Sequence, residues 1–244
     1  MASMMPYLGV FLEALLYTLQ LSALSIAGGT IIGVLCGFLS ARRPESPRWA
    51  AAVRVVINIY VQLFRSIPPL VLLFLLYFGV SAAFNVSFGT TAAVVVALSL
   101  FIGAYQVENV RAGIESVPRG QSEAAAALGL GLFDRMRFVE ARSAFRVSFP
   151  SMVGQWIVTV KDTTLASGIG VVEATSVALT VRQATGETWL VFLVLGVVYY
   201  VINRGVAFIG SVLESRIDRT GRRRDHSEFE TEEPPAVTTA PSRS

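Results

Sequence analysis

Gly120-Gln121-Ser122-Glu123-Ala124-Ala125-Ala126-Ala127-Leu128-Gly129-Leu130 is a polar, helix-forming run in a chain whose other segments are mostly apolar. Gln121 to Leu128 are strong helix formers, Glu123 sits near the start where a carboxylate favours the helix dipole, and Gly129 with Gly131 stops the helix sharply. The segments on either side are hydrophobic enough to span a bilayer, and the loop that holds the run is rich in arginine. Basic short loops stay on the cytoplasmic side. The run is therefore read as a cytosolic surface displayed by a polytopic membrane protein.

Working outward, the 244 residues are 53% hydrophobic and 15% charged, with mean hydropathy +0.60. The apolar residues gather in long runs instead of recurring at the spacing of a soluble core. A span needs about 20 apolar residues, and five stretches qualify: Leu8–Leu39, a run ending near Phe84, Thr91–Val107, Phe149–Gly170 and Trp189–Leu213. Five helices are few for a self-sufficient carrier, and no internal duplication is visible, so enclosing a pathway calls for a second subunit. Met1–Tyr7 carries no basic side chain and the first apolar run exceeds the about 7–15 residues of a signal peptide, so the first helix is expected to be retained.

Arginine placement sets the orientation. Arg42, Arg43, Arg48 and Arg54 follow the first span, Arg111, Arg119, Arg135, Arg137, Arg142 and Arg146 follow the third, and Arg216, Arg219 and Arg222–Arg224 close the chain. Val80–Thr90 carries no charge. These signals agree on an outside N-terminus, five crossings and a cytoplasmic C-terminus. Residues 1–216 form the transmembrane unit, with a cytosolic loop over about 111–148, and the mixed-charge, Pro- and Ser/Thr-containing tail 217–244 is expected to be disordered, its Arg222–Arg224 drawn to anionic lipid headgroups.

Composition also excludes chemistry. The single lysine, Lys161, lies in Val160-Lys161-Asp162 and not in the Gly-Lys-Ser/Thr of a phosphate-binding loop, so the chain is no Walker-type ATPase. Cys36 in an apolar helix and His226 in the tail supply neither a disulfide nor a metal cluster. No clustered His, Cys or paired carboxylates suggest a membrane enzyme. The basic residues flank spans, so their partner is membrane lipid and no nucleic acid is expected.

Several residues stand out on physical grounds. Two starts fit the second span: if it begins near Val53, Arg65 lies about 18 Å along it, and if it begins at Ser66, Arg65 is an interfacial anchor; Pro68 and Pro69 bend it in either case. Lys161 and Asp162 lie about 18–20 Å into the fourth span, where a charge must face a bundle interior or an aqueous cavity. Arg65 is a candidate partner for Asp162, and Glu108 or a solute carboxylate for Lys161. Gly28, Gly29, Gly33 and Gly37 recur at nearly helical spacing, a face that lets another helix approach closely. In the loop, the helix over Gln121–Leu128 and a second over roughly Leu132–Ala144 make a compact knob with a small-residue face of Ala124, Ala125 and Ala127.

That loop resembles the EAA loop of ATP-binding-cassette (ABC) importer permeases. Further blocks resemble the polar amino acid branch of that family: Thr18-Leu19-Gln20-Leu21-Ser22, Phe64-Arg65-Ser66-Ile67-Pro68, Ala104-Tyr105 with Glu108 and Arg111, Gly113 through Gln121, Lys161-Asp162-Thr163-Thr164-Leu165-Ala166-Ser167, and Leu213-Glu214-Ser215-Arg216. The match runs from about Phe11 to Arg216. Two departures are visible. Ala141-Arg142-Ser143-Ala144 stands where the family has Leu-Pro-Gln-Ala, which removes a helix-breaking proline and lengthens the second coupling helix, and Val153-Gly154-Gln155 stands for Gly-Asn-Gln.

The resemblance implies an all-α integral membrane protein of the type I ABC importer permease fold, with five transmembrane helices and a cytosolic coupling hairpin. It implies a bacterial inner-membrane permease for a polar amino acid or related solute. The implied partners are ABC ATPase subunits that hold the ATP and Mg, a second permease that is a copy or a paralogue, and an extracytoplasmic solute-binding protein. No cofactor is expected on this chain. Gly120, Gln121, Glu123, Ala124, Ala125 and Gly129 are the implied ATPase-coupling residues. Arg65, Glu108, Gln155, Lys161, Asp162, Thr163 and Ser167 are the candidates for the solute path. An ATP-independent channel or secondary carrier is the competing class, but a carrier has no need of the hairpin. A reporter fused after Ser244 is expected in the cytosol and one inserted near Ser87 outside; a cytosolic signal at Ser87 would overturn the five-span topology.

Overall fold

A computed structural model describes residues 2–41, 48–86 and 89–229. Every regular element among them is helical. A bilayer offers no water to backbone amides, so an apolar chain satisfies them within helices. After a 3-10 turn over Ala2–Tyr7, α1 runs over Leu8–Ser40 without interruption, since nothing in its sequence removes an N–H.

The second segment is in pieces. Helix α2, Arg48–Ser66, ends before Ile67-Pro68, where Pro68 has no N–H to donate and forces extended backbone, and α3, Pro69–Phe74, restarts with a proline in its first turn. A π-helical turn, Leu75–Val80, leads into α4, Ser81–Phe84, which Asn85 closes in the left-handed region with φ 54°. The two halves are bent by 107°. Neither expected start is the observed one: α2 begins at Arg48, and Arg65 lies in its last turn, exposed, beside the break.

Helix α5, Thr90–Glu115, is the third span. Helix α6, Arg119–Ala127, forms the polar run, and α7, Leu132–Arg135, passes through a π-helical turn, Met136–Glu140, into α8, Ala141–Asp162. The second coupling helix is therefore not separate, as the sequence reading had it, but the entry of the fourth span. With no proline at positions 141–144 nothing interrupts it.

The fourth span in turn does not run straight to Gly170. It tightens into a 3-10 turn, Thr163–Ile169, stops at Gly170 with φ 81°, and restarts as α9, Ala174–Thr185, at a bend of 57°. Gly186, φ 73°, ends α9, and α10 runs over Thr188–Phe229. Helix α10 is described as far as Phe229; the remainder of the tail, residues 230–244, and the loop arginines Arg42 and Arg43 lie outside the described residues. Three helices are long and apolar enough to cross a membrane, and five crossings result if each bent pair is one span.

The bundle is organised on α1 and α5, which lie parallel. A Cβ added at Gly29 would run into Ile102, one at Gly33 into the Cβ of Gln106, and one at Gly37 would lie 2.6 Å from Val110. The glycine face expected from the sequence is thus the seat of α5. Helix α8 returns antiparallel on the other side, where Gly113 leaves no room for a Cβ against the Ala144 carbonyl oxygen at 2.5 Å. Helix α10 is mostly uncovered, with Tyr200, Phe208 and Ile209 exposed, which is how an apolar helix meets lipid or another subunit. Gly33→Ala should lower the thermal stability of the detergent-solubilised protein, by about 1–3 kcal/mol, whereas Gly9→Ala, with nothing within 4 Å, should be neutral; equal melting of the two variants would show that the α1–α5 contact can yield.

Candidate functional site

The hairpin is built from local rules. Pro118 enters α6 in extended backbone, and the Gln121 N–H donates to the Pro118 carbonyl at 3.1 Å. At the other end the Gly129 N–H reaches the Ala126 carbonyl at 2.9 Å and the Leu130 N–H reaches that of Ala125 at 3.1 Å. With Gly129 at φ 80°, this is a Schellman stop, which a side chain at position 129 would strain. Gly120, Gln121, Glu123, Ala124 and Gly129 are exposed, but Ala125 is 5% exposed. The predicted face of Ala124, Ala125 and Ala127 is therefore split: Ala125 belongs to the hairpin's own core, one position around the helix from its exposed neighbours. The hydroxyl of Ser122 donates to a carboxylate oxygen of Glu140 at 3.2 Å, which ties α6 to the entry of α8. Leu128 and Phe133 are 82% and 70% exposed beside the turn. The sequence reading passed over these exposed apolar residues in a polar loop.

A polar groove of about 480 Å³ lies between α2 and α5, lined by Asn58, Gln62, Arg65, Tyr105, Glu108 and Arg111 among others. The Arg65 guanidinium stands over the Tyr105 ring at 5.0 Å, a cation–π contact. Glu108 pairs with Arg111 at 3.3 Å, and the Arg111 Nε–H donates to the Ser40 hydroxyl at 3.3 Å, linking the C-terminal ends of α5 and α1. Arg65 and Glu108 thus share one groove. Among the described residues Arg65 is not ion-paired with Asp162, nor Glu108 with Lys161: each has a nearer partner on its own groove wall.

Gln155, Lys161, Asp162, Thr163 and Ser167 form a second group along α8 and the turn after it. Ser151, Gly154, Val158 and Lys161 make one exposed stripe, spaced three and four apart, with Gln155 and Asp162 half-buried at its edge. Thr163 is wholly buried, its hydroxyl donating to the Val160 carbonyl at 2.7 Å, and Ser167 likewise caps Thr164 at 2.7 Å. These hydroxyls hold the tight turn. The turn after α8 packs on α3, where Gly168 lies against Leu70 and Phe74.

The break before α9 holds a residue that sequence reasoning missed. Glu173 is fully buried, and its carboxylate accepts from the N–H groups of Thr175 and Ser176 at 2.9 Å each, while its own N–H donates to the Ser176 hydroxyl at 2.9 Å. The Tyr199 hydroxyl of α10 donates to it at 3.4 Å, and the neighbouring Ala174 N–H donates to the Thr18 hydroxyl of α1 at 3.1 Å. The carboxylate so joins α9 to α10, and the Ala174 N–H beside it ties the same point to α1, where backbone amides have no helical partner. The pattern Glu-Ala-Thr-Ser, a capping box with acid and hydroxyl exchanged, was the available signal. Arg204 was also passed over: it is exposed within α10, a charge on an otherwise apolar span.

The family described as "Binding-protein-dependent transport system inner membrane component" matches residues 29–219, from the glycine face of α1 through the hairpin and into α10. The chain belongs to this family. The L-cystine transport system permease protein TcyB of Bacillus subtilis (strain 168) is 32% identical over 204 residues, 83% of this chain and 84% of the relative. The glutamine transport system permease protein GlnP of Escherichia coli (strain K12) is 32% identical over 213 residues, 87% of this chain and 94% of the relative. An amino acid ABC transporter crystallised with histidines superposes with a TM-score of 0.78 at 28% identity, over 88% of this chain and 97% of that one. The MetNI methionine ABC transporter in an inward-facing state shares the fold, with a TM-score of 0.74 at 21% identity over 87% and 98% of the two chains. The protein is thus a permease subunit of type I ABC importer fold, and ATP hydrolysis resides in a separate subunit. Within it, Glu173→Ala should lower the unfolding midpoint in detergent, with a cost of about 1–2 kcal/mol from the lost cap, and Glu173→Gln should cost less because its amide oxygen still accepts; an unchanged midpoint in Glu173→Ala would show that water serves those amides.

Proposed function

We propose that this permease moves a polar amino acid or a close derivative inward across a bacterial inner membrane, N-terminus outside and C-terminus in the cytoplasm. It works beside a second permease, a copy or a paralogue, above ABC ATPase subunits that bind ATP and Mg. An extracytoplasmic solute-binding protein delivers the solute. The relatives named for cystine and glutamine support the substrate class.

The observation that carries the mechanism is the continuity of the hairpin with α8. Residues 132–162 form one helical run of about 45 Å at 1.5 Å per residue. A displacement of the hairpin by an ATPase subunit is therefore delivered directly to Lys161 and Asp162 at the far end. The docking face combines Gly120, Gln121, Glu123 and Ala124 with the exposed Leu128 and Phe133, while Ala125 and Gly129 fix its shape. Arg65 supplies a cation for a carboxylate, Asp162 an anion for an ammonium group, and Glu108, Gln155, Lys161, Thr163 and Ser167 complete the candidate path. Such oppositely charged groups suit a zwitterion. An ion-coupled carrier is disfavoured because a cytosolic hairpin capped this tightly serves no purpose in it.

Uptake in liposomes carrying the complete complex should require ATP and persist when ion gradients are collapsed. Gly129→Val and Leu128→Asp should lose the co-purified ATPase or its solute stimulation, and Lys161→Gln and Asp162→Asn should weaken stimulation while the complex stays assembled. Gradient-driven uptake by this chain alone, or full coupling in both hairpin variants, would overturn the assignment.

A further inference from the structure

A second groove, of about 370 Å³, opens on the side of α5 away from the polar one. Its wall residue Val110 follows Glu108 by two positions, about 200° around the helix. Val34 and Phe38 of α1, Val110 of α5, and Phe145 and Met152 of α8 line it, with the small Ala141 and Ala144 leaving its floor open. Ser148 is the one hydroxyl on the wall, and it is engaged with the Ala144 carbonyl at 2.8 Å, so the interior offers nothing to a polar solute. Arg137 and Arg142 stand at one end, and no acidic side chain lines the groove. The Arg137 guanidinium is held over the Phe138 ring at 5.5 Å, and Arg142 engages another group of the chain.

The dimensions have a meaning in a bilayer. Arg142 lies two residues before Ala144, which packs on Gly113 near the cytosolic end of α5. Met152 is ten residues further along α8, about 15 Å away, half of the roughly 30 Å hydrocarbon thickness. The groove therefore starts at a basic rim and descends one leaflet along an apolar wall. We propose that it binds one anionic phospholipid of the cytoplasmic leaflet, its phosphate on Arg137 and Arg142 and one acyl chain along Phe38, Val34, Val110, Phe145 and Met152. This rests on the cytosolic placement of the hairpin given above. The lipid sits where the hairpin becomes α8, so it braces the segment through which movement is delivered.

The test is mass spectrometry of the intact permease–ATPase complex, washed in mild detergent and then offered phosphatidylglycerol or phosphatidylcholine. The wild type should retain phosphatidylglycerol in preference to phosphatidylcholine. Arg137→Gln should lower that retention about fivefold, the effect of one basic residue at an anionic surface. Ala141→Phe, which fills the groove without changing charge, should lower it as well. Equal retention of the two lipids, or retention unchanged in both variants, would refute the site. So would a disulfide from Phe145→Cys, in a Cys36→Ser background, to a cysteine on the second permease, because a protein helix would then occupy the groove. A cytosolic reporter at Ser244 together with absent lipid binding defeats the lipid site alone, whereas an outside reporter defeats the orientation beneath it.

Discussion

The close approach of α1 and α5 is the contact on which the other elements depend. Helix association in lipid gains little from the hydrophobic effect and relies on packing and interhelical hydrogen bonds. Gly29, Gly33 and Gly37 remove the side chains that would hold the two helices apart, and Ile102, Gln106 and Val110 fill the space. Helices α2 and α8 are tied directly to this pair. Helix α2 reaches it through the Tyr60 hydroxyl, which donates to the Leu100 carbonyl at 2.7 Å, and α8 through Gln106, whose side-chain amide donates to the Met152 carbonyl at 3.2 Å. The indole of Trp156 on α8 donates to the Thr30 hydroxyl of α1 at 3.0 Å.

On that rigid pair the protein places two interruptions, and each exposes backbone groups that lipid cannot satisfy. At Ile67-Pro68 the loss is limited because proline brings no N–H, and the polar wall of α2 beside it provides a hydrated groove. At residues 163–173 the solution is a set of side-chain caps, from the hydroxyls of Thr163 and Ser167 to the buried carboxylate of Glu173. The candidate path residues gather at these two breaks. Irregular backbone at membrane depth is tolerated where protein buries it or it lines a cavity, so the same places that cost stability are available to a solute.

The stretch from the hairpin to Asp162 is the opposite case, a continuous helix. A π-helical turn at Met136–Glu140 changes the direction of side chains without breaking the run, and the helix continues past Pro150 to Asp162. Buried Glu140 and Arg135 anchor its N-terminal end, and the Gly129 stop keeps α6 folded back on it. The hairpin and the fourth span therefore form one continuous stretch of helix, with the groove beside Arg137 and Arg142 on its flank.

The sequence by itself determined what depends on composition and local chemistry. Long apolar runs specify spans, the alanine run ending at Gly129 specifies a stopped helix, and the glycine repeat in α1 specifies a close helix contact. Each is set by residues near one another in the chain. What only the tertiary structure decided is the partner of each polar group. Lys161 and Asp162 were legible as intramembrane charges, yet Arg65 turned to Tyr105 and Glu108 to Arg111, because those groups share a groove wall that no spacing reveals. Ala125 faced inward, and the second coupling helix merged with α8, because a hairpin folds onto itself and the missing proline at 141–144 left no stop. Glu173 took its meaning from Tyr199, 26 positions away in the sequence: a buried carboxylate is stabilised by whatever donors the fold brings to it, and in this chain the Thr175 and Ser176 N–H groups are joined by a hydroxyl from α10.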